Sequence, residues 1–267
     1  MLIQITNRCK EGCAHCMQNS LPDGPHMTIE TFRKALQFGA FLNTQVYVIT
    51  GGEPTEHPQF GEFCRMLDRH IRKGKVKALF TVTSNGTWYP DREDEIERLA
   101  NLETYAGMQV YTNPKWYKDA EFIIAHKRQM ERIPKVIVGT TDIRNMQDLG
   151  RARFNEQAQS EIDKNPYHMS CLNGHLMFAQ VSPLHRLKGQ VKEGLLCRPM
   201  IDFRGKVHLS ESWYCPSFGN VNTDMMTTIF NTLQRSKPCC KCKLGQKFLM
   251  STDRKILAAK EILGGYE

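Results

Sequence analysis

The 267-residue sequence contains no run of 18 or more apolar residues, so it predicts no membrane-spanning helix. Its opening residues, MLIQITNRCK, place the basic side chains after the apolar ones, which is the wrong order for a secretory signal. It has no internal repeat and no low-complexity tract. These absences favour a globular cytoplasmic protein, and a hydrophobic content of 40% is enough for a substantial core.

The sequence also lacks a basic segment interleaved with aromatic residues, which is the pattern typical of side chains that stack on bases. Its formal net charge is +8 at pH 7, but the basic residues are scattered along the chain. A mildly positive, solvated surface is therefore the preferred interpretation, and a nucleic-acid partner is not expected.

Cysteine is abundant and unevenly distributed. Of the 10 cysteines, three lie within residues 9–16 and five lie between Cys197 and Cys242. A reducing cytoplasm disfavours disulfides, so clustering of this kind indicates metal ligation. Cys64 lies on the apolar face of a predicted helix and is expected to pack in the core. Cys171, outside both clusters, either faces the substrate or is buried, and burial is the more common outcome for a lone cysteine.

The first two thirds of the sequence alternate between short apolar runs and amphipathic stretches. Thr28–Leu42 and Gln59–Arg72 have helical spacing, and Thr28 is a candidate N-cap. Six β-α units in series predict an α/β fold whose parallel sheet curls into an open, partial (β/α)6 barrel, with its chemistry on loops at the carboxyl ends of the strands. The predicted strands are Leu2–Thr6, Gln45–Thr50, Ala78–Ser84, Thr104–Val110, Lys135–Thr140 and Leu176–Val181.

The composition changes near Gly194. From there to Leu244, cysteine, glycine, proline and short polar turns dominate. Small regions of this kind need a stabilising cross-link, which a metal site can supply. A last helix is predicted over Thr252–Leu263. We therefore expect a barrel core over residues 1–193, a cysteine-rich region over 194–250 and a C-terminal helix over 251–267.

The first cysteine cluster follows the first predicted strand directly. Cys9, Cys13 and Cys16 have the spacing Cys-x3-Cys-x2-Cys, and three thiolates on one loop can hold three irons of a cubane cluster. The fourth iron is then open to a cofactor or substrate. A zinc site is one alternative, although a structural zinc ion is usually bound by four protein ligands. A chance match to the motif is a further alternative.

A second motif, Gly51-Gly52-Glu53-Pro54, follows the second predicted strand. Glycines allow the backbone to approach a ligand closely, and a glutamate can accept hydrogen bonds from an ammonium group. Alternatively the motif is only a strand-ending turn. Together, a three-thiolate loop after one strand and this turn after the next resemble the radical S-adenosylmethionine superfamily, over Met1–Ser182.

The resemblance implies that S-adenosylmethionine binds the open iron of a [4Fe–4S] cluster through its amine and carboxylate. It implies that Glu53 and the Gly51–Gly52 backbone hold the amine, and that His15 packs near the adenine. Ser84 and Asn85 stand where the family places polar contacts to the cofactor. Arg153 or Arg151 stands where an arginine often binds the cofactor carboxylate, with a surface role as the alternative.

The same resemblance implies a mechanism. The reduced cluster passes an electron to the sulfonium, and the 5′-deoxyadenosyl radical that results abstracts hydrogen from a substrate C–H bond. An external electron donor of the flavodoxin or ferredoxin type is the expected partner.

The second cysteine cluster offers four thiolates, namely Cys197, Cys215, Cys239 and Cys242. The segment from Cys197 to His208, with a predicted hairpin around Gly205, resembles the auxiliary-cluster regions called SPASM and twitch. Ser210 stands where the full form often has cysteine, which favours the shorter twitch form with one auxiliary [4Fe–4S] cluster. Cys240 is an alternative ligand to Cys239, and structural zinc is an alternative occupant.

An auxiliary cluster can accept an electron from the substrate radical and so oxidise it. We therefore expect oxidative modification or cross-linking of a ribosomally made peptide, with dehydrogenation of a sugar- or cyclitol-like alcohol as the alternative. Because the first strand begins at Leu2, no leader-recognition module is expected before it, and a separate protein can supply one. A non-enzymatic zinc protein and an iron–sulfur electron-transfer protein are the remaining alternatives.

Overall fold

The computed structural model describes residues 1–140, 150–164, 199–208 and 217–235. In these ranges the strands are β1 (Leu2–Gln4), β2 (Val46–Thr50), β3 (Leu79–Ser84), β4 (Tyr105–Tyr111), β5 (Val136–Gly139), β6 (Met200–Ile201), β7 (Lys206–His208) and β8 (Ser217–Asn220). The α-helices are α1 (Ile29–Phe41), α2 (Phe60–Lys73), α3 (Glu93–Leu99), α4 (Ala120–Ala125), α5 (Lys127–Met130), α6 (Glu156–Lys164) and α7 (Met226–Arg235). Short 3-10 helices span Pro54–Glu56 and Gly150–Phe154.

The eight strands form one sheet in the order β5-β4-β3-β2-β1-β6-β7-β8. β1 to β5 are parallel to their neighbours, and most of their connections pass through helices, so the predicted α/β fold with an open parallel sheet is confirmed. Five of the six predicted strands are present. The sixth, Leu176–Val181, and the predicted helix Thr252–Leu263 lie outside the described residues.

A pairing that the sequence did not predict joins β6 to β1. Met200 and Ile201 of β6 pair in parallel with Leu2 and Ile3, and both are buried. Two residues are too few to show a periodic pattern, so β6 has no local signal. It continues through an antiparallel hairpin into β7, and Gly205 in the turn has φ +83°. The hairpin predicted around Gly205 is therefore present.

One face of the sheet packs against the helices, and we call it the helix face. Its middle row consists of apolar residues in register, all at most 4% exposed: Ile201, Ile3, Ile49, Val82, Met108 and Val136. Full burial of such side chains contributes about 1.5–3 kcal/mol each. None of the described helices is long and apolar enough to cross a membrane.

The two longest predicted helices are confirmed. The hydroxyl of Thr28 accepts a hydrogen bond from Thr31 N at 3.1 Å, so Thr28 caps α1 as predicted. The apolar face of helix α2 packs against the core. There the rings of Phe63 and Phe32 of α1 are in edge-on contact, with their centroids 4.4 Å apart. Cys64 on the same face is fully buried, as expected.

Candidate functional site

The three cysteines of the first cluster lie on the segment Asn7–Leu21, which follows β1 and which we call the cysteine loop. The loop is closed by its own backbone: Cys9 N donates to Leu21 O at 2.9 Å, and Leu21 N donates to Asn7 O at 3.2 Å. A tight turn brings Cys16 N to Cys13 O at 3.1 Å. The loop therefore has a defined shape at the carboxyl end of β1.

The three thiols converge and none forms a disulfide. Cys9 is buried, while Cys13 and Cys16 are half-buried. Burial, together with the charges of neighbouring acidic groups, raises the pKa of Cys9 and that of Cys13 to about 12. Ligation to a metal centre would keep such buried thiols ionised.

The number of thiols bears on the kind of metal centre that the loop could hold. A structural zinc site takes four protein ligands, and the cysteine loop supplies three thiols. In a cubane cluster three cysteines each ligate a different iron. In the part of the chain that the structure describes, no three His, Cys, Asp or Glu side chains are grouped closely enough to hold a single metal ion.

A carboxylate inside the cysteine loop ties it to the loop after β4. Glu11 is buried, and its side chain accepts hydrogen bonds from Lys118 N at 2.9 Å and Asp119 N at 3.3 Å. The Cys13 thiol lies 3.9 Å from Glu11 Oε2, and burial raises the pKa of Glu11. Sequence reasoning missed Glu11, since no local signal pairs it with residues about a hundred positions away.

Arg151 holds the same loop from the other side. Its side chain donates to Cys13 O from Nε and to Ser20 O from Nη2, each at 2.8 Å, and Arg151 N donates to Cys16 O at 2.9 Å. The preceding residue must be glycine, because Gly150 has φ +52° and a Cβ there would lie 2.5 Å from Cys16 O. Arg151 therefore positions the cysteine loop. Arg153 is exposed, and its contact with a cofactor stays a prediction.

His15 lies in an aromatic cluster beside the thiols. It is 6% exposed, and its ring centroid lies 5.0 Å from Trp116 and 5.2 Å from Tyr117. Burial and, to a smaller extent, the charge of Arg151 lower the pKa of His15 to about 4, so the ring is neutral at pH 7. A neutral ring among aromatics is suited to pack against a flat apolar or heteroaromatic group, as predicted for the adenine.

The Gly51–Gly52 turn and Glu53 are hydrogen-bonded to Thr6 and to the cysteine loop. Gly52 N donates to Thr6 O and Glu53 N donates to Arg8 O, each at 2.8 Å. A Cβ on Gly52 would lie 2.3 Å from Arg8 O, so only glycine allows this approach. The carbonyl oxygens of Gly51 and Gly52 accept no hydrogen bond from a described residue, so they are available to a bound ammonium group.

Glu53 is fully buried and links the turn to the end of β3. Its carboxylate accepts hydrogen bonds from Thr55 Oγ1 at 2.6 Å, Thr55 N at 3.1 Å, Ser84 Oγ at 3.0 Å and Asn85 N at 2.7 Å. Burial raises the pKa of Glu53, and these hydrogen bonds oppose the rise. Because four donors fill the capacity of a carboxylate, the backbone oxygens of the turn are the freer acceptors for an amine.

The structure brings most of the predicted site residues together. Asn85 Nδ2 lies 3.5 Å from Cys9 Sγ, and its backbone N–H donates to Glu53, so the loops after β1, β2 and β3 meet at one rim. The missed residues are Glu11, Trp116 and Tyr117, together with the positioning role of Arg151. The predicted auxiliary ligands, Cys197, Cys215, Cys239 and Cys242, lie outside the described residues.

The sequence profile of the Radical SAM superfamily matches residues 3–149, which is more than half of the chain. The chain therefore belongs to the radical S-adenosylmethionine superfamily, whose members use S-adenosylmethionine and a [4Fe–4S] cluster. The matched region contains the cysteine loop and the Gly51–Gly52 turn, but it ends before Arg151.

Curated relatives match a shorter segment. The GTP 3′,8-cyclase of Nitrobacter winogradskyi is 30% identical over 88 residues, which are 32% of this chain and 25% of that protein. A structure of BtrN in complex with AdoMet and 2-DOIA superposes with TM-score 0.57 at 13% identity, covering 91% of this chain and 89% of that one. Native anSMEcpe with bound AdoMet and Cp18Cys peptide superposes with TM-score 0.54 at 15% identity, covering 98% and 99%. At these identities the superpositions show the fold alone.

Proposed function

We propose that this radical S-adenosylmethionine enzyme oxidatively modifies or cross-links a ribosomally made peptide. The observation that supports its radical chemistry is the junction at the rim, where Glu53 N donates to Arg8 O of the cysteine loop and Asn85 Nδ2 lies 3.5 Å from Cys9 Sγ. This junction puts an acceptor turn for an amine beside three thiols that can hold an iron–sulfur cluster.

Cys9, Cys13 and Cys16 would hold the cluster, and the carbonyl oxygens of Gly51 and Gly52 would accept hydrogen bonds from the cofactor ammonium group. The cluster and S-adenosylmethionine, when bound, supply a 5′-deoxyadenosyl radical that abstracts hydrogen. Glu53 holds Ser84 and Asn85 at the rim, while Arg151 and Glu11 keep the cysteine loop in place. A flavodoxin- or ferredoxin-type protein would deliver the electron.

The oxidative part of the proposal depends on the second cysteine cluster. Cys197, Cys215, Cys239 and Cys242 would hold an auxiliary [4Fe–4S] cluster that takes the second electron from the substrate. The hairpin β6–β7 supports this assignment, because it begins three residues after Cys197 and pairs directly with β1, the strand that leads into the cysteine loop. A separate protein would recognise the leader of the peptide.

Dehydrogenation of a sugar- or cyclitol-like alcohol is the second candidate. It is favoured by the hydroxyl and amide side chains on the open face of the sheet, including Thr83 and Gln109, which can bind an alcohol as well as a peptide. The aligned segment covers only about a quarter of the curated GTP 3′,8-cyclases, so the similarity supports the shared core and not their reaction.

Anaerobic reconstitution tests the proposal. The wild-type protein should bind about eight irons per chain if both cubane clusters form, and with dithionite and S-adenosylmethionine it should release 5′-deoxyadenosine. The Cys9→Ala, Cys13→Ala, Cys16→Ala triple variant should lose about half of the iron and all detectable cleavage. Cys64→Ala is the matched control, because Cys64 is buried in the core away from the loop, and it should retain cleavage.

Two results separate the candidates. A peptide substrate should lose two hydrogens, which mass spectrometry detects as a cross-link or an oxidised residue, whereas an alcohol substrate should yield a ketone or aldehyde. If the wild-type protein forms no 5′-deoxyadenosine, the radical reaction is wrong. If four irons bind per chain and cleavage persists, the auxiliary cluster is wrong.

A further inference from the structure

The last residue of the short helix Pro54–Glu56 binds the cysteine loop. Glu56 Oε1 accepts a hydrogen bond from Lys10 N at 2.9 Å, and Glu56 Oε2 lies 3.4 Å from Arg8 Nε. These two partners are the residues on either side of Cys9. One carboxylate therefore holds the chain both before and after that thiol.

The burial of Glu56 makes these contacts important to it. Its side chain is 9% exposed, and its Oε2 receives no hydrogen bond from a described residue, so the contact with Arg8 is an ion pair. Burying a carboxylate is costly unless it is paired and hydrogen-bonded. Both described polar contacts of this carboxylate go to the cysteine loop, so its burial is offset by the residues that flank Cys9.

The short helix that carries Glu56 is itself firmly held. Glu53, which precedes it, is fully buried and hydrogen-bonded to the end of β3. His57, which follows it, is buried, and its two ring nitrogens lie 3.0 Å from Met27 O and 3.0 Å from Gln59 N. Because its support is fixed at both ends, the carboxylate of Glu56 can keep the attached loop in one position.

The three thiols of the cysteine loop are held from two sides. The segments that carry the second and third thiols are tied through backbone oxygens to Arg151. Cys9 is held from the opposite side, through Glu56 and through Asn85 Nδ2, which lies 3.5 Å from its Sγ. A cluster that bridges all three cysteines would need both sides to keep their relative positions.

We infer that Glu56 is a positioning residue that fixes Cys9 relative to the Gly51–Gly52 turn. The thiol and the oxygens that would accept the cofactor amine then keep a constant separation, because the turn and Glu56 belong to one short segment. The inference deepens the proposed function and rests on it, since it concerns the cluster that the cysteine loop would hold. Glu56 acts through Arg8 and Lys10.

The first measurement needs no cluster. Hydrogen exchange of the full-length apo protein follows the Lys10 amide, whose described acceptor is Glu56. Glu56→Ala removes that acceptor, so the amide should exchange about fivefold faster, the effect expected for one hydrogen bond. Glu56→Gln keeps a side-chain oxygen that can accept the bond, and it should retain the protection.

The second measurement uses the reconstituted protein. Binding of S-adenosylmethionine to the open iron changes the coordination of the cluster, and the EPR spectrum of the reduced cluster follows that change. The cofactor concentration that gives half of the spectral change should rise about fivefold in Glu56→Ala and stay close to the wild-type value in Glu56→Gln. A role in stability alone would leave this concentration unchanged.

Glu62→Ala is the matched control for both measurements. Glu62 also pairs with two arginines, Arg65 and Arg69, but all three residues belong to α2 and none to the cysteine loop. The variant should leave the Lys10 exchange rate and the EPR titration at their wild-type values. If Glu56→Ala does not fold, Arg8→Met takes its place. It removes the ion pair alone and should shift the EPR titration in the same direction.

An EPR titration of Glu56→Ala that matches the wild-type protein overturns the inference, whatever the stability of the variant. A Glu56→Gln variant as defective as Glu56→Ala also overturns it, because the hydrogen-bond acceptor is then not what holds Cys9. The proposed function fails separately. Absence of 5′-deoxyadenosine from the wild-type protein would reject the radical reaction even where the exchange of the Lys10 amide is as expected.

Discussion

Along β3, neighbouring residues face two different environments. Phe80 and Val82 are fully buried against the helices, whereas Thr81 and Thr83 lie between them on the opposite face, the inner face of the sheet, and are partly exposed. In register across the sheet, Gln4 and Thr50 on the inner face are also buried, whereas Gln109 is exposed. The strands therefore have a helix face that holds the fold and an inner face that is exposed along β3 and β4.

The rim joins the two faces, and it is held by hydrogen bonds more than by apolar contact. Glu53, Glu11 and Arg151 each connect loops that follow different strands. Apolar burial is tolerant of small changes in shape, but hydrogen bonds fix positions to within a few tenths of an ångström. Because hydrogen bonds fix positions more closely than apolar burial does, the candidate site lies where the loops are joined by several hydrogen bonds.

The largest expected effect separates the two faces directly. Val82→Asp puts a carboxylate into the helix-face core without a partner, and we expect it to lower the free energy of unfolding by more than about 5 kcal/mol. Thr83→Asp, one residue away on the inner face, should cost less than about 1 kcal/mol because water reaches it. Urea denaturation measures both. Similar losses for the two variants would contradict the assignment of the faces.

At the rim, Glu53→Ala should be the most damaging change. It leaves the buried donors of Thr55, Ser84 and Asn85 without an acceptor, so we expect a loss of about 3 kcal/mol in unfolding free energy. Glu62→Ala is the matched control, because Glu62 also accepts several hydrogen bonds but is partly exposed on α2, and it should cost at most about 1 kcal/mol. A small loss for Glu53→Ala would mean that its carboxylate does not organise the rim.

A smaller effect on stability distinguishes Arg151, which positions the cysteine loop, from Arg153, which is predicted to bind the cofactor. Arg151→Met removes three side-chain hydrogen bonds to the cysteine loop, and we expect a loss of about 2 kcal/mol together with weaker retention of iron. Arg153→Met should change stability by less than about 0.5 kcal/mol, and it should weaken S-adenosylmethionine binding if the predicted contact with the carboxylate is made. Equal destabilisation by the two variants would remove the distinction.

The smallest effect concerns pH. His57 is buried, its Nδ1 accepts from Gln59 N at 3.0 Å and its Nε2 lies 3.0 Å from Met27 O, so protonation at Nδ1 would break a hydrogen bond. Burial accordingly lowers the pKa of His57 below its ordinary value of 6.5. The unfolded chain then binds the proton more readily, so the stability that His57 contributes is present above pH 6.5 and is lost as pH falls below it.

His57→Gln isolates this contribution. We expect the variant to lose about 1 kcal/mol at pH 7.5 and to show a flatter decline of unfolding free energy between pH 6.5 and 5 than the wild-type protein. Chemical denaturation across this range measures both quantities. An unchanged slope would assign the pH dependence to other groups, such as His26, whose pKa is also lowered by burial.

Features that depend on local spacing could be predicted from the sequence. Alternating apolar runs predicted β1 to β5 to within a few residues, Thr28 predicted the start of α1, and the spacing of Cys9, Cys13 and Cys16 with the Gly51–Gly52 turn predicted the family. These signals lie within short stretches, where the period of a strand or the reach of a loop constrains the residue types directly.

The long-range contacts could not be predicted and are seen in the folded structure alone. It placed β6 beside β1, turned Arg151 onto the cysteine loop 138 residues away, and joined Glu11 to Lys118 across 107 residues. It also showed that the carboxylate of Glu53 binds the end of β3. The physical reason is that each of these contacts joins segments whose approach depends on the packing of the whole sheet, and one sequence carries no local record of that approach.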